Sequence, residues 1–207
     1  TKVLSSSAIY GANGAGKSNR IKAVTSLRNL VRNGTIESIS SSFYKMPFLL
    51  NDETQNSPVS IAVEFYREGV IYYYTLSFVK DCIVNEELYI SGERNDELVF
   101  SRSNVDGAQK IEFYKGYMEE NPANEVFAEA LSEKILGKTE LLLSFMGDKY
   151  SEDIQAISKA YDWFLNDLAI VSPNSMSGIT AHQLDKNPDM LQLLNRLLPE
   201  MNTGISK

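Results

Sequence analysis

The sequence predicts a mixed α/β fold in which a glycine-rich loop and its helix come first, an antiparallel β meander second and a helical region last. Three observations predict it. Residues 9–19 place three glycines between an apolar run and a helical pattern. Residues 58–114 alternate apolar and polar side chains in short runs separated by turn residues. After residue 121, apolar residues recur every three or four positions, the period of a helix with one buried face.

The glycine-rich loop fits the pattern G-x-x-x-x-G-K-[ST], with Gly11 and Gly16 as its fixed glycines, followed by Lys17 and Ser18. The apolar run at residues 3–10 predicts a strand before the loop. Apolar residues at 21, 24, 27, 30 and 31 predict a helix after it, ending at Asn33-Gly34. Strand, glycine loop and helix together are typical of a phosphate-binding loop, so the first element predicts a P-loop NTPase fold.

The residue types of the loop suit a triphosphate. Glycines let the backbone approach the phosphates closely, and the free N–H groups at the start of the helix add positive potential there. Lys17 supplies a mobile charge for the β- and γ-phosphate oxygens, which makes it the predicted catalytic residue, and the Ser18 hydroxyl is a predicted ligand of Mg²⁺. A strand-to-helix turn that binds nothing is the alternative. The residues predicted to bind ATP are Gly11, Ala12, Asn13, Gly14, Ala15, Gly16, Lys17, Ser18 and Asn19.

A family resemblance is carried by residues 8–19, by Phe-Leu-Leu-Asn-Asp-Glu-Thr at 48–54, by Glu-Glu-Leu-Tyr at 86–89 and by Asn-Thr-Gly-Ile at 202–205. The chain resembles the N-terminal portion of ABC-like AAA ATPases of the OLD and abortive-infection type, common in bacterial anti-phage defence. The SMC and RecF repair ATPases are more distant relatives. Arg20 departs from the family's pattern, in which an apolar residue is more usual.

This resemblance implies an ABC-ATPase-like head that binds and hydrolyses Mg·ATP. In the family two heads close on two ATP molecules, so the resemblance implies a head-to-head dimer or higher oligomer as well. It also implies that ATP gates an effector protein such as a nuclease or toxin in phage defence. Fold-level analogy alone supports these partners.

The β meander is predicted from residue 59 onward, with runs at 59–65, 70–78, 83–90, 97–102 and 110–114. Arg67-Glu68-Gly69 predicts a turn, and Asp106-Gly107 predicts a hairpin turn. The tyrosines at 72, 73 and 74 allow a base-stacking interpretation. Aromatic residues also favour strands, and successive side chains point to opposite faces, so we expect the run to pack a core and an edge.

The helical region is predicted to begin with a cap at Asn124 and to stop at Gly137, with further helices opened by Thr139, by Ser151 and by Asn187-Pro188. Gly147 is expected to end the helix that Thr139 opens, and Pro199 is expected to end the last helix. Residues 169–171 are a candidate short strand. These patterns predict a P-loop lobe with a β-rich subdomain at 1–115 and a helical insertion or lid at 116–207.

Several motifs of ATP hydrolysis are not found in the sequence. No run of four apolar residues is followed by an Asp-Glu pair, and Asp148, after the apolar run that starts at Leu141, is interpreted as an ordinary helix end. Residues 175–178 resemble the Ser-Gly-Gly signature poorly, and Gln55 is a weak match to the glutamine that senses the γ-phosphate. We expect the pair and the signature to lie outside this segment, in a longer ATPase.

The composition of the chain disfavours several classes of function. The net charge of −7 disfavours direct DNA binding by this segment, because domains that hold DNA by their own surface are usually basic. No apolar stretch is long enough for a membrane span. The single Cys82 suits a reducing cytoplasm, and the single His182 provides neither a zinc cluster nor a histidine relay.

Three alternatives remain open at this point. The chain could belong to a DNA-repair or chromosome-maintenance ATPase of the SMC or RecF kind, in which ATP clamps DNA. It could be a small-molecule or nucleoside kinase, although the long meander argues against this. It could also be a regulatory module that binds nucleotide without hydrolysing it.

Overall fold

A computed structural model describes residues 8–39, 57–105, 107–171 and 186–200. The chain divides into two compact units, Thr1–Leu168 and Ala169–Lys207. Several sequence predictions lie outside the described residues: the first part of the strand at 3–10, Gln55, Asp106, His182 and the segment 175–178. In the described residues the structure is mixed α/β, with a five-stranded antiparallel sheet and helices packed on it, which confirms the predicted fold class.

Helix α1 spans Lys17–Asn33 and confirms the helix predicted after the loop. It ends at Gly34, which has a φ of 71° and donates its N–H to the carbonyl of Leu30, as expected of a glycine C-cap. The buried face covers only the C-terminal half of the helix, where Leu27, Leu30 and Val31 lie. A 3₁₀ turn at Ile36–Ile39 follows.

The prediction of a strand before the loop is wrong for residues 8–10, the part of that segment that the structure describes. Residues 8–10 have no regular secondary structure, and Tyr10 is 90% exposed. A strand needs hydrogen-bonded neighbours, and every described strand of the sheet pairs only with other strands of the meander.

The meander consists of β1 (Val59–Arg67), β2 (Val70–Phe78), β3 (Ile83–Ile90), β4 (Glu97–Val105) and β5 (Ala108–Phe113), paired in sequence order. The β1–β2 hairpin closes through Glu68 and Gly69, whose φ values of 50° and 88° are those of a turn that follows the twist of the strands. Gly107, in the β4–β5 turn, has a φ of 83°. The predicted meander is therefore confirmed, with slightly longer first, fourth and fifth strands.

The tyrosine run alternates across the sheet as expected. Tyr72 and Tyr74 are buried on the face that packs against the helices, whereas Tyr73 is 36% exposed on the opposite face. Trp163, which lies off the apolar stripe of its helix, stacks on Phe65 of β1 with ring centroids 4.1 Å apart. Two of the three tyrosines, Tyr72 and Tyr74, therefore pack in the hydrophobic core.

The helical region contains α2 (Lys115–Glu120), α3 (Pro122–Ala130), α4 (Leu142–Lys149) and α5 (Gln155–Asp162), with π turns at Leu131–Ile135 and Trp163–Asp167. The cap of α3 is Asn121 and not Asn124. The Asn121 side chain accepts from the N–H of Ala123, and Pro122 takes the first helical position. Asn124 instead donates its side-chain amide to the carbonyl of Tyr117 at 2.7 Å.

Three further boundaries differ from the predictions. Helix α4 begins at Leu142, because Thr139 and Glu140 pair with the chain after α1: Ile36 donates to the carbonyl of Thr139, and Thr35 forms a bridge with Glu140. Gly147 lies inside α4. Helix α5 begins at Gln155 because residues 151–153 form a turn. Residues 169–171 form no strand.

The second unit contains α6, Pro188–Glu200. The predicted start at Asn187-Pro188 is confirmed, whereas the predicted end is wrong: Pro199 lies within the last turn. A proline removes one backbone hydrogen bond there, which a helix end tolerates better than a helix centre. Within the described parts of the chain, no helix is long and apolar enough to cross a membrane.

A buried polar network fixes the loop in front of α4 to the sheet. Glu86 of β3 accepts from the N–H groups of Leu142 and Leu143, at 2.7 and 2.8 Å, and from the hydroxyl of Tyr74. Its carboxylate lies 3.5 Å from the guanidinium of Arg102 on β4, and both side chains are 0% exposed. Glu86 thus caps a helix that is distant from it in sequence.

Arg102 distributes its remaining donors over the same loop. It donates to the carbonyls of Gly137 and Glu140 and to the side chain of Gln109. Helix α1 is joined to this loop in turn, because Leu141 donates to the carbonyl of Gly34 and the Ser144 hydroxyl donates to that of Val31. The C-terminal end of α1 is therefore held firmly, while its N-terminal end presents the glycine loop.

Candidate functional site

The glycine loop is wrapped around the ammonium group of Lys17. Its Nζ donates to the carbonyl of Gly11 at 2.5 Å and to that of Ala12 at 2.7 Å. A turn closes within the loop, where the N–H of Ala15 donates to the carbonyl of Ala12 at 3.2 Å. The ammonium group of Lys17, the predicted catalytic residue, therefore lies in contact with the backbone of the loop.

Two of the loop glycines adopt backbone conformations that other residues disfavour. Gly14 has a φ of 84° and Gly16 a φ of 80°. A Cβ atom on either would meet nothing within 4 Å, so these positions require glycine for conformation and not for space inside the chain. Gly11 has no such φ, and a Cβ there would make ordinary contact with Ala15 at 3.5 Å.

The N-terminal end of α1 carries positive potential. Its N-cap is Gly16, no side chain caps the first N–H groups, and the first turn contains no acidic residue. Lys17 forms no ion pair with any described residue, although seven ion pairs occur elsewhere in that part of the chain. The helix dipole and the lysine charge therefore both favour an anion here.

The remaining loop residues are open to solvent. Ala12, Asn13, Gly14 and Ala15 are exposed, and Ser18 and Asn19 are exposed on the first turn of α1. The Ser18 hydroxyl provides the hard oxygen ligand that Mg²⁺ prefers. No cluster of three or more His, Cys, Asp or Glu side chains suited to a metal occurs in the described residues.

These hydrogen-bond donors fit the phosphates of a nucleoside triphosphate. Phosphate oxygens are bound by backbone N–H groups at a helix start, by glycine loops with positive φ and by a lysine such as Lys17, which no carboxylate of the described residues engages. Gly11–Asn19 would hold the phosphates, with Ser18 available to Mg²⁺. Bound ATP would supply the phosphoanhydride bond, and the chain's own part is to bind and orient it.

The other predicted catalytic motifs do not join this site in the described residues. Asp148 lies exposed in the last turn of α4, which confirms its interpretation as a helix end. The charged pair that sequence reasoning missed is Glu86 with Arg102. The two residues lie opposite each other on the neighbouring strands β3 and β4, at inward-facing positions. Opposite charges at inward positions of neighbouring strands are a sequence signal that could have predicted this ion pair.

A glycine loop that fits the phosphate-loop pattern, at the N-terminus of a helix and in one unit with an antiparallel meander, is consistent with the P-loop NTPase fold. Residues 6–163 match the family described as "AAA domain, putative AbiEii toxin, Type IV TA system". The match covers more than half of the chain, so the chain belongs to this AAA-domain family. It is thereby an ATP-binding domain of the AAA and ABC-like ATPase class. No curated protein and no solved structure matches the chain.

Proposed function

We propose that the chain is the nucleotide-binding lobe of an ABC-like ATPase head that uses Mg·ATP to gate an effector protein in bacterial anti-phage defence. The observation that carries the nucleotide part is the position of the Lys17 ammonium group, whose partners among the described residues are the carbonyls of Gly11 and Ala12. Phosphate oxygens would compete well for those donors, because a charged acceptor forms stronger hydrogen bonds than a neutral carbonyl.

The roles of the loop residues follow from this arrangement. Lys17 would neutralise charge on the β- and γ-phosphates, and the backbone N–H groups of the loop would orient them. Ser18 would hold Mg²⁺ together with the phosphate oxygens. The Asp-Glu pair that activates water would be supplied from outside this segment, as would the signature of an opposing head in a dimer.

The effector part of the proposal rests on the family. Its description names a toxin of a type IV toxin–antitoxin system, and the sequence resembles abortive-infection ATPases of the OLD type. A nuclease or toxin activated in the cytoplasm by ATP-dependent head closure is the corresponding mechanism. The acidic balance of the chain, −7, supports a protein effector over direct contact of this segment with DNA.

ATP turnover by the full-length protein tests this proposal, with wild type compared with Lys17→Ala in the presence and absence of DNA. Lys80→Ala is the matched control, because Lys80 is an exposed lysine in the turn after β2. We expect turnover that is lost in Lys17→Ala, retained in Lys80→Ala and indifferent to DNA.

Two other outcomes would redirect the assignment. Turnover stimulated several-fold by DNA would favour a repair ATPase that clamps DNA. Mg·ATP binding that requires Lys17 without any turnover would indicate a nucleotide-sensing module. Normal ATP affinity in Lys17→Ala would refute the assignment of the loop itself.

A further inference from the structure

A groove of about 600 Å³ lies between one end of the sheet and the N-terminal turn of α5. Its floor is apolar. Val99 and Ile154 are each 3% exposed at the bottom, and Ile90 and Leu98 are half-buried beside them. A bulge between β3 and β4 produces this floor, because the shift of register at Leu88/Tyr89 places an additional residue in β4.

The rim of the groove is acidic. Glu97, Glu152 and Asp153 line it and are exposed, and none of them forms an ion pair with another described residue. Lys115 also lines the groove, but its ammonium group already lies 3.4 Å from the carboxylate of Glu119. The rim therefore has three unmatched carboxylates and one matched cation.

The negative charge of this rim affects the pKa of a neighbouring tyrosine, Tyr117. Burial raises the pKa of the Tyr117 hydroxyl, and the Asp153 carboxylate raises it further. Tyr114, on the groove wall, is 38% exposed, and its ring face is an additional acceptor for a cation. An apolar floor, an acidic rim and an accessible aromatic ring thus occur in one groove.

We infer that this groove docks a basic segment of a protein partner, with an aliphatic side chain on the floor and lysine or arginine side chains at the rim. The apolar floor provides burial that a bare metal cation could not use. The unmatched carboxylates attract a basic chain and repel nucleic acid and anionic membranes. Anchoring of one apolar side chain inside a polar rim is a common arrangement of peptide-binding interfaces.

This inference goes beyond the nucleotide site. No residue that lines the groove belongs to the glycine loop or to α1. Docking should therefore persist in Lys17→Ala without nucleotide, and its failure is distinguishable from a failure of ATP binding.

A random peptide library displayed on phage, selected on the wild-type protein, tests the inference. The recovered consensus peptide is then synthesised and titrated by fluorescence anisotropy. The groove variant is Glu97→Lys/Glu152→Lys. The matched control is Glu125→Lys/Glu129→Lys, which changes the net charge equally at two exposed glutamates of α3.

We expect consensus peptides with an aliphatic residue beside lysine or arginine. Their affinity should fall about tenfold or more in the groove variant, as two reversed charges at a partly desolvated site would produce. The control variant should bind within about twofold of wild type, since only long-range charge has changed there. Leu98→Ser should weaken binding without altering its salt dependence.

Other results would overturn the inference. Selection that yields no peptide, or peptides that bind the groove and control variants equally, would show that the groove does not recognise a basic segment. Calorimetric binding of spermidine that blocks the site in place of any peptide would assign it to a small polyamine. Self-association of wild type that Glu97→Lys/Glu152→Lys abolishes would assign it to a second copy of this chain.

Discussion

Lys17 and Arg102 carry the same charge but are used in opposite ways. Lys17 lies at a loop of exposed residues, where two neutral carbonyls hold it and no carboxylate of the described residues pairs with it. Arg102 is 1% exposed and is surrounded by the Glu86 carboxylate, the Gln109 side chain and two carbonyls of the loop before α4. The first cation remains available to an anion from solution, and the second is committed to the fold.

The difference shows how function can be distinguished from architecture in this molecule. A buried cation must be compensated inside the protein, because an unpaired buried charge is very costly. A cation at a binding site must instead be left under-compensated so that a ligand can complete its coordination. Substitutions in the two regions should accordingly affect different measurements.

Glu86→Leu should have the largest effect, and it should appear in stability. The change leaves Arg102 charged and buried and removes the acceptor for two N–H groups of α4, so we expect a loss of about 3–5 kcal/mol in the free energy of unfolding. Urea unfolding followed by circular dichroism measures it. The double variant Glu86→Leu/Arg102→Met should recover part of the loss, and a single-variant loss below about 1 kcal/mol would contradict a structural role.

Lys17→Ala should produce the next largest effect, on ligand affinity and not on stability. Loss of a charged hydrogen-bond donor predicts about 10- to 100-fold weaker binding of ATP by the full-length protein. Titration with a fluorescent ATP analogue measures the affinity, and Lys80→Ala is the control. The thermal midpoint should stay within about 2 °C of wild type, because Lys17 forms no ion pair with the described residues and is not part of their hydrophobic core. A large drop in the midpoint would instead make Lys17 structural.

Two glycine substitutions sharpen the comparison. Gly147→Ala should destabilise the fold by about 1–3 kcal/mol, because its Cβ would overlap the ring of Tyr161. Gly16→Ala has open space around the new Cβ, so its cost is the backbone strain at a φ of 80°, about 1–2 kcal/mol. Only Gly16→Ala should weaken ATP binding. Equal effects of both on ATP affinity would remove the distinction between the two regions.

The smallest expected effect is a pH dependence that originates in the network. Burial raises the pKa of Glu86 above its ordinary 4.5, and the Arg102 guanidinium and the N–H groups of α4 oppose the shift only in part. The folded state therefore binds this proton more tightly than the unfolded chain. The stability that it contributes is full below pH 4.5 and is lost as the pH rises through the folded-state pKa.

Glu86→Gln cannot titrate and isolates this contribution. The free energy of unfolding of wild type minus that of Glu86→Gln should fall as the pH is raised from 4.5, by less than about 1.4 kcal/mol for each pH unit. Urea unfolding of both proteins over a pH series measures the difference. A difference that rises with pH would mean that the folded-state pKa is lowered, contrary to the burial of the carboxyl.

Much of the site was determined by the sequence alone. The spacing of Gly11, Gly16, Lys17 and Ser18 predicted the loop, and Gly34 predicted the end of α1, because glycine conformations and helix ends depend on residues close in sequence. The same reason explains the success with the meander, whose hairpin turns are set by Glu68-Gly69 and by Gly107. Alternation along β2 correctly predicted that the tyrosine run packs a core, and the structure buries Tyr72 and Tyr74 there.

The tertiary structure decided what local signals could not. Thr139 looked like a helix start, yet the backbone before Leu142 pairs with residues more than a hundred positions earlier, and Glu86 from β3 supplies the cap of α4. Asn121 caps α3, whereas the Asn124 side chain donates to the carbonyl of Tyr117. Local sequence therefore determined the phosphate loop, because its conformation is set within a few residues. Long-range hydrogen bonds determined how firmly that loop's helix is held, because their partners meet only when the sheet and the helices pack together.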